Sequence, residues 1–143
     1  MTVARILAVK GRDVFTTQPH RTLQETARLL ADKGIGALVV TGADGAVLGI
    51  ISERDLVRAL AQSGAAALDD PVSRHMTSDV FTATSGACID DIMERMTHNR
   101  FRHVPVVENE RLAGLVSIGD VVKHRIVEIE AEHRALRDYI ATA

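Results

Sequence analysis

Gly49-Ile50-Ile51-Ser52-Glu53-Arg54-Asp55 returns as Gly114-Leu115-Val116-Ser117-Ile118-Gly119-Asp120, sixty-five positions later. Upstream, Val14-Phe15-Thr16 returns as Val80-Phe81-Thr82 and Leu30 as Met96, both at an offset of sixty-six. The one-residue difference is absorbed in the loops before Val47 and Leu112. A duplicated unit carries any site in two related copies, and neither copy has to bury its apolar face alone.

Each copy reads strand, helix, strand, strand, helix. Val14 to Thr17 is short, β-branched and aromatic and runs toward Pro19, which predicts an edge strand. Thr22-Leu23-Gln24-Glu25 has capping-box spacing, and Leu23, Thr26, Ala27 and Leu30 then fall on one helical face. Gly34-Ile35-Gly36 ends that helix, and the apolar run Ala37 to Thr41 predicts a strand buried on both sides. Gly42-Ala43-Asp44-Gly45 is turn chemistry. Val47 to Ile51 is the next strand, and Ser52 opens a helix with apolar positions Leu56, Val57 and Leu60.

The second copy repeats this with strands at Val80 to Ala83, Val104 to Val107 and Leu112 to Val116, and a helix face of Ile89, Ile92, Met93 and Met96. Between the copies, Gln62 to Asp70 reads as helix fraying into a linker, and Pro71 suits the first position of a short helix through Met76. The expected division is residues 1–69 and 70–143, in an α/β (α+β) architecture. Cys88 stands where the first copy has the capping Thr22. It is either a half-buried replacement for a cap or a thiol activated by a helix N-terminus.

Composition excludes several classes of function. The 143 residues are 46% hydrophobic and 25% charged, with a formal net charge of −2. That balance gives no bias toward nucleic acid or anionic membrane. Three Phe, one Tyr and no Trp provide little for stacking bases. No apolar run approaches the roughly 20 residues of a membrane helix, and the start lacks the pattern of a secretory signal. A lone cysteine fits a reducing cytoplasm. Six histidines without metal-ligand spacing predict no metal site, and no nucleophile–base pair, phosphate-loop or HExxH motif points to an enzyme.

The last helix outruns its counterpart. Val122, Ile126, Ile129, His133, Leu136 and Ile140 fall at spacings of 4, 3, 4, 3 and 4, a heptad seam with one polar member. Glu130 and Arg134 are placed as an i,i+4 pair outside it. The seam either folds back on its own body or pairs with a partner. The second alternative predicts a homodimer that weakens as pH falls and His133 gains a proton.

The ordered features, Val-Phe-Thr, the approach to the second strand and Gly-apolar-apolar-Ser-x-x-Asp, each occurring twice, resemble a tandem of cystathionine-β-synthase (CBS) domains, the Bateman module. The second feature is carried by Gly34-Ile35-Gly36-Ala37-Leu38-Val39-Val40 and Arg100-Phe101-Arg102-His103-Val104-Pro105-Val106. The resemblance implies two βαββα repeats packed by pseudo-twofold symmetry. It also implies a regulatory module that binds an adenosine-containing nucleotide (AMP, ADP, ATP or NAD class) between the repeats, dimerises and signals to a separate protein.

By that resemblance, Asp55 and Asp120 hold ribose hydroxyls. Ser52 and Ser117, helped by Thr16 and Thr82, hold phosphate. Ala37 and His103, with neighbours Val104 and Pro105, lie against the base. The nucleotide is a regulatory ligand, and no cofactor is required. Arg54, and Arg102 with Arg100, Lys123, His124 and Arg125, offer charge for phosphate, unequally in the two copies. Ser-x-x-Asp is also a helix-capping arrangement, so one hydroxyl has two competing roles. The alternative function is an interaction protein acting through its dimer and C-terminal helix, independent of nucleotide.

Overall fold

A computed structural model describes residues 1–142. Its first element was not anticipated: α1, Val3–Lys10, precedes the first repeat. There follow β1 (Thr16–Thr17), α2 (Leu23–Lys33), β2 (Ala37–Thr41), β3 (Val47–Ser52) and α3 (Glu53–Ser63). A 3₁₀ segment, Gly64–Asp69, and the short helix α4 (Val72–His75) connect to α5 (Ile89–Asn99), β4 (His103–Glu108), β5 (Arg111–Ser117) and α6 (Ile118–Thr142).

The repeats are alike in backbone detail. β2 and β3 pair antiparallel with a bulge at Val40/Thr41, and β4 and β5 do the same with a bulge at Val106/Val107. β1 runs parallel to β2 as an edge, reduced to two residues. Its expected counterpart at Val80 to Ala83 shrinks further, to a single bridge between Ala83 and Val106. Phe15 and Phe81 are not strand residues. Lys33 lies over the Phe15 ring, and Phe81 stacks on Phe101 at 5.6 Å, so both rings serve packing.

Local chemistry explains the helix ends. Thr22 Oγ1 accepts from the Glu25 amide at 3.2 Å, but the Glu25 carboxylate turns to Arg21, so only half of the expected capping box forms there. Gly34 closes α2 in the left-handed region at φ 63°, and Arg100 closes α5 at φ 58°. Cys88 opens α5 without a side-chain cap and is half-buried.

Two cores form, and they interlock. Leu23, Leu30, Leu38, Val40, Ile51, Leu56 and Ala59 fill the first, joined by Ala67 and Val72. Ile89, Ile92, Met96, Val104, Val106, Val116 and Val121 fill the second, joined by Val3, Ile6 and Leu7 of α1. Each repeat thus receives the segment that precedes the other. The backbone ties match: Leu23 N donates to Asp70 O, and Ile89 N donates to Met1 O. The expected frayed linker is ordered too, because Ala67 is fully buried in the first core.

The repeated glycines are where these segments cross. A Cβ on Gly49 would stand 2.6 Å from the Thr77 carbonyl, and one on Gly114 would stand 2.8 Å from a Leu7 methyl. Of the apolar positions on α3, Leu56 is buried, while Val57 and Leu60 are exposed.

α6 is held to the body by Val121 alone among its buried residues. The whole seam, Val122, Ile126, Ile129, His133, Leu136 and Ile140, is exposed, so the helix does not fold back on its own subunit. Glu130 and Arg134 form no ion pair. Arg125 and Glu128 do, at 3.3 Å.

Candidate functional site

Each Gly-apolar-apolar-Ser string ends a strand and its serine starts a helix. Antiparallel register then sets that serine opposite the start of the neighbouring strand. Ser52 pairs with Ala37, and Ser117 pairs with His103. One more backbone bond seals each junction: Glu53 N donates to Gly36 O at 3.0 Å, and Ile118 N donates to Arg102 O at 2.8 Å. The two motifs, well separated in sequence, are thus brought to one end of each hairpin.

Both Ser-x-x-Asp strings are capping boxes. The Ser52 amide donates to Asp55 Oδ2 at 2.9 Å, and the Asp55 amide donates to Ser52 Oγ at 3.3 Å. Ser117 and Asp120 repeat this at 2.9 and 3.2 Å. The capping role is therefore realised at both helices. It orients each carboxylate at a helix start, where open amides and the helix dipole favour an anion.

The copies then diverge. Asp120 also binds Lys10 Nζ at 2.6 Å, and the same ammonium donates to the Leu115 carbonyl at 2.9 Å. Burial works to raise the Asp120 pKa, but Lys10 and the Ser117 amide outweigh it and hold the carboxyl below its ordinary value. Among the described residues, Asp55 has only Ser52 as a side-chain partner. Lys10 was missed from sequence, although Val3, Ile6, Leu7 and Lys10 have helical spacing.

His103 is half-buried, and its pKa is lowered, first by burial, then by Lys10 and Arg102 against the opposing pull of Asp120 and Glu53. Glu53 belongs to the first repeat. The field at His103 thus includes one charge from the other repeat.

The other expected residues sort by position. Thr16 is exposed at the start of β1, Thr82 is exposed just before the Ala83 bridge, and Arg54 is exposed on α3. Ala37 and Pro105 are buried on the strand face opposite the helical cores. Val104 differs from the expectation: strand alternation turns its side chain the other way, into the second core. Arg102 and Lys123 meet across an open groove of about 610 Å³ with Ile118, Gly119, Val122, Ile126 and Val127. Arg100 is instead a helix cap, and Arg125 is paired with Glu128. Among the described residues, no helix is long and apolar enough to cross a membrane.

Two equivalent hairpins, each with a capped Ser-x-x-Asp helix facing a strand start, match a known unit. The CBS domain profile fits residues 7–62 and 72–126. The chain belongs to the CBS domain family. Among solved structures it is similar to the CBS-domain containing protein ATU1752 from Agrobacterium tumefaciens, with 54% identity and a TM-score of 0.84, covering 87% of this chain and 99% of that one. It is similar to the CBS domain protein PAE2072 from Pyrobaculum aerophilum, solved in complex with AMP. There the identity is 29% and the TM-score 0.79, over 91% and 97% of the two chains. A third is the CBS domain pair of protein MJ0100, solved with 5′-methylthioadenosine and S-adenosyl-L-methionine. It shares 26% identity at a TM-score of 0.79, over 90% and 98% of the chains. The fold is that of a CBS pair, with α6 extending past the second match.

Proposed function

We propose that this chain is a non-catalytic regulatory module of the cytoplasm that binds an adenosine-containing ligand between its repeats and passes the bound state to another protein. The observation that carries the reading is the register: Ser52 opposite Ala37 and Ser117 opposite His103. It sets a carboxylate, a helix start and a partly apolar strand face at one place in each repeat. Adenosine is the chemistry shared by the ligands of the two similar structures that were solved with them.

In this reading Asp55 and Asp120 accept ribose hydroxyls. Ser52, Ser117, Thr16 and Thr82 lie toward phosphate or its substitute, with Arg54 and Arg102 as cations. Ala37, His103 and Pro105 flank the base. The free Cys88 supports the reducing compartment. A second reading, an interaction protein that needs no nucleotide, draws support from the exposed seam of α6.

Calorimetry with AMP, ATP, NAD, S-adenosylmethionine and GTP separates the two. Heat from at least one adenosine compound, and much weaker binding of GTP, is expected, because a site shaped for one hydrogen-bond pattern leaves polar groups unpaired against another. Silence from every adenosine compound at millimolar concentration overturns the first reading and leaves the second.

A further inference from the structure

The seam on α6 carries more than apolar surface. In heptad terms, Val122, Ile129 and Leu136 take d positions, and Ile126, His133 and Ile140 take a positions. The body-facing stripe is a different one, through Val121, His124 and Glu128, and the seam leaves the body beyond Val122 and Ile126, which border the Arg102 groove. From Ile129 to Thr142 every residue is exposed. At 1.5 Å per residue, that is roughly 20 Å of helix standing clear of the body.

The flanking charges choose the occupant. The g positions are Arg125, Glu132 and the uncharged Tyr139, and the e positions are Lys123, Glu130 and Arg137. In a parallel pair each g residue meets the e residue five places on in the other helix. Arg125 then meets the partner's Glu130, and Glu132 meets the partner's Arg137. Symmetry doubles both, so four opposite-charge pairs line the seam. In an antiparallel pair with the seams fully overlapped, like meets like. Lys123 opposes the partner's Arg137, Glu130 opposes the partner's Glu130, and Glu132 opposes the partner's Glu132.

We infer that α6 is a parallel, in-register pairing helix for a second copy of this chain. Ile at a and Leu at d suit two strands, and one polar a residue, His133, penalises register slips because it faces itself only in register. The exposed apolar side chains supply the attraction, and the e and g charges supply the direction.

The full chain tests this through the Glu132 and Arg137 pair, neither of which is in an ion pair within the described residues. Glu132→Arg and Arg137→Glu each turn two attractions into two repulsions. Each should weaken dimerisation by roughly tenfold, read by sedimentation across a concentration series. The double variant restores opposite charges in the parallel pair and should recover wild-type affinity.

A second reading is independent of any association between the bodies. In a Cys88→Ser chain, Leu136→Cys faces its own copy only in the parallel register, so it should form an intermolecular disulfide on mild oxidation. A monomeric wild-type chain at tens of micromolar overturns the inference, and so does a dimer indifferent to both single reversals. Failure of the double variant to recover, or of Leu136→Cys to cross-link, overturns the parallel register.

Discussion

Lys10 Nζ stands 2.6 Å from Asp120 Oδ2, joining the end of α1 to the start of α6. Both side chains are partly exposed, so the pair is worth about 0.5–1 kcal/mol. Lys10→Met should cost that much in denaturant unfolding. It should also raise the pKa of His103 toward the ordinary 6.5, because burial and then Lys10 lower it. An NMR titration of the His103 ring reads this directly. An unmoved midpoint would show that the ammonium does not act on the ring.

The depressed pKa of His103 makes stability depend on pH. The neutral ring is favoured in the folded state, so the unfolded chain takes up the proton first as pH falls. The contribution is full above about 6.5 and is lost as pH drops from there through the lower folded value. Asp120 acts in a separate, acidic window, since its contribution is full above 3.8 and disappears below it. Denaturant unfolding should therefore show lower stability near pH 5.5 than near pH 7.5, and His103→Gln should flatten that difference. An equal slope in the variant would move the effect to another histidine.

Asp55→Ala and Asp120→Ala each break a capping box, which should cost about 0.5–2 kcal/mol of stability. If the carboxylates also hold ribose, each variant should weaken its own site about 10- to 100-fold. Thermal melts and ligand titrations on both chains separate these effects. Lower melting temperatures with intact affinity would leave capping as their whole role.

Arg100 and Gly34 close equivalent helices in the left-handed region, at φ 58° and 63°. Arg100→Gly relieves a strained non-glycine backbone and should stabilise the chain by about 0.5–1 kcal/mol, while Gly34→Arg should cost about 1 kcal/mol. Melts in both directions check the symmetry. A destabilised Arg100→Gly would mean that the arginine side chain contributes more than its backbone costs.

Gly49 and Gly114 look interchangeable in sequence, but their neighbours differ. An added methyl at Gly49 meets the Thr77 carbonyl, which accepts from the Ile50 amide while the Thr77 amide donates back to the Ile50 carbonyl, whereas at Gly114 it meets the tip of Leu7. Backbone cannot yield, and a leucine rotamer can. Gly49→Ala should cost about 2–3 kcal/mol and Gly114→Ala about 1 kcal/mol. Equal costs would show that α1 is as rigid as the Met76–Thr77 crossing.

The hairpins and helix starts were legible because their signals are local: alternation, turn glycines and Ser-x-x-Asp recur at fixed spacing. The resemblance groups Val104 with His103 as neighbours in sequence, but alternation puts their side chains on opposite faces of β4. α1 escaped because a single eight-residue helix, with Val3, Ile6 and Leu7 on one face, means little until another repeat covers that face. Ala67 escaped because small residues look the same in a linker and in a core. Val57 and Leu60 show the reverse, since apolar spacing says that a face exists and not that this subunit covers it.

The interlocked cores carry a consequence for fragments. Ser78 and Asp79 lie exposed between α4 and the second repeat, an accessible place for a protease. A cut there does not yield two independent domains. The piece ending at Ser78 keeps α1, whose Val3, Ile6 and Leu7 belong to the other piece's interior. The two products should stay associated as a noncovalent complementation pair, running as one particle until denaturant releases both together.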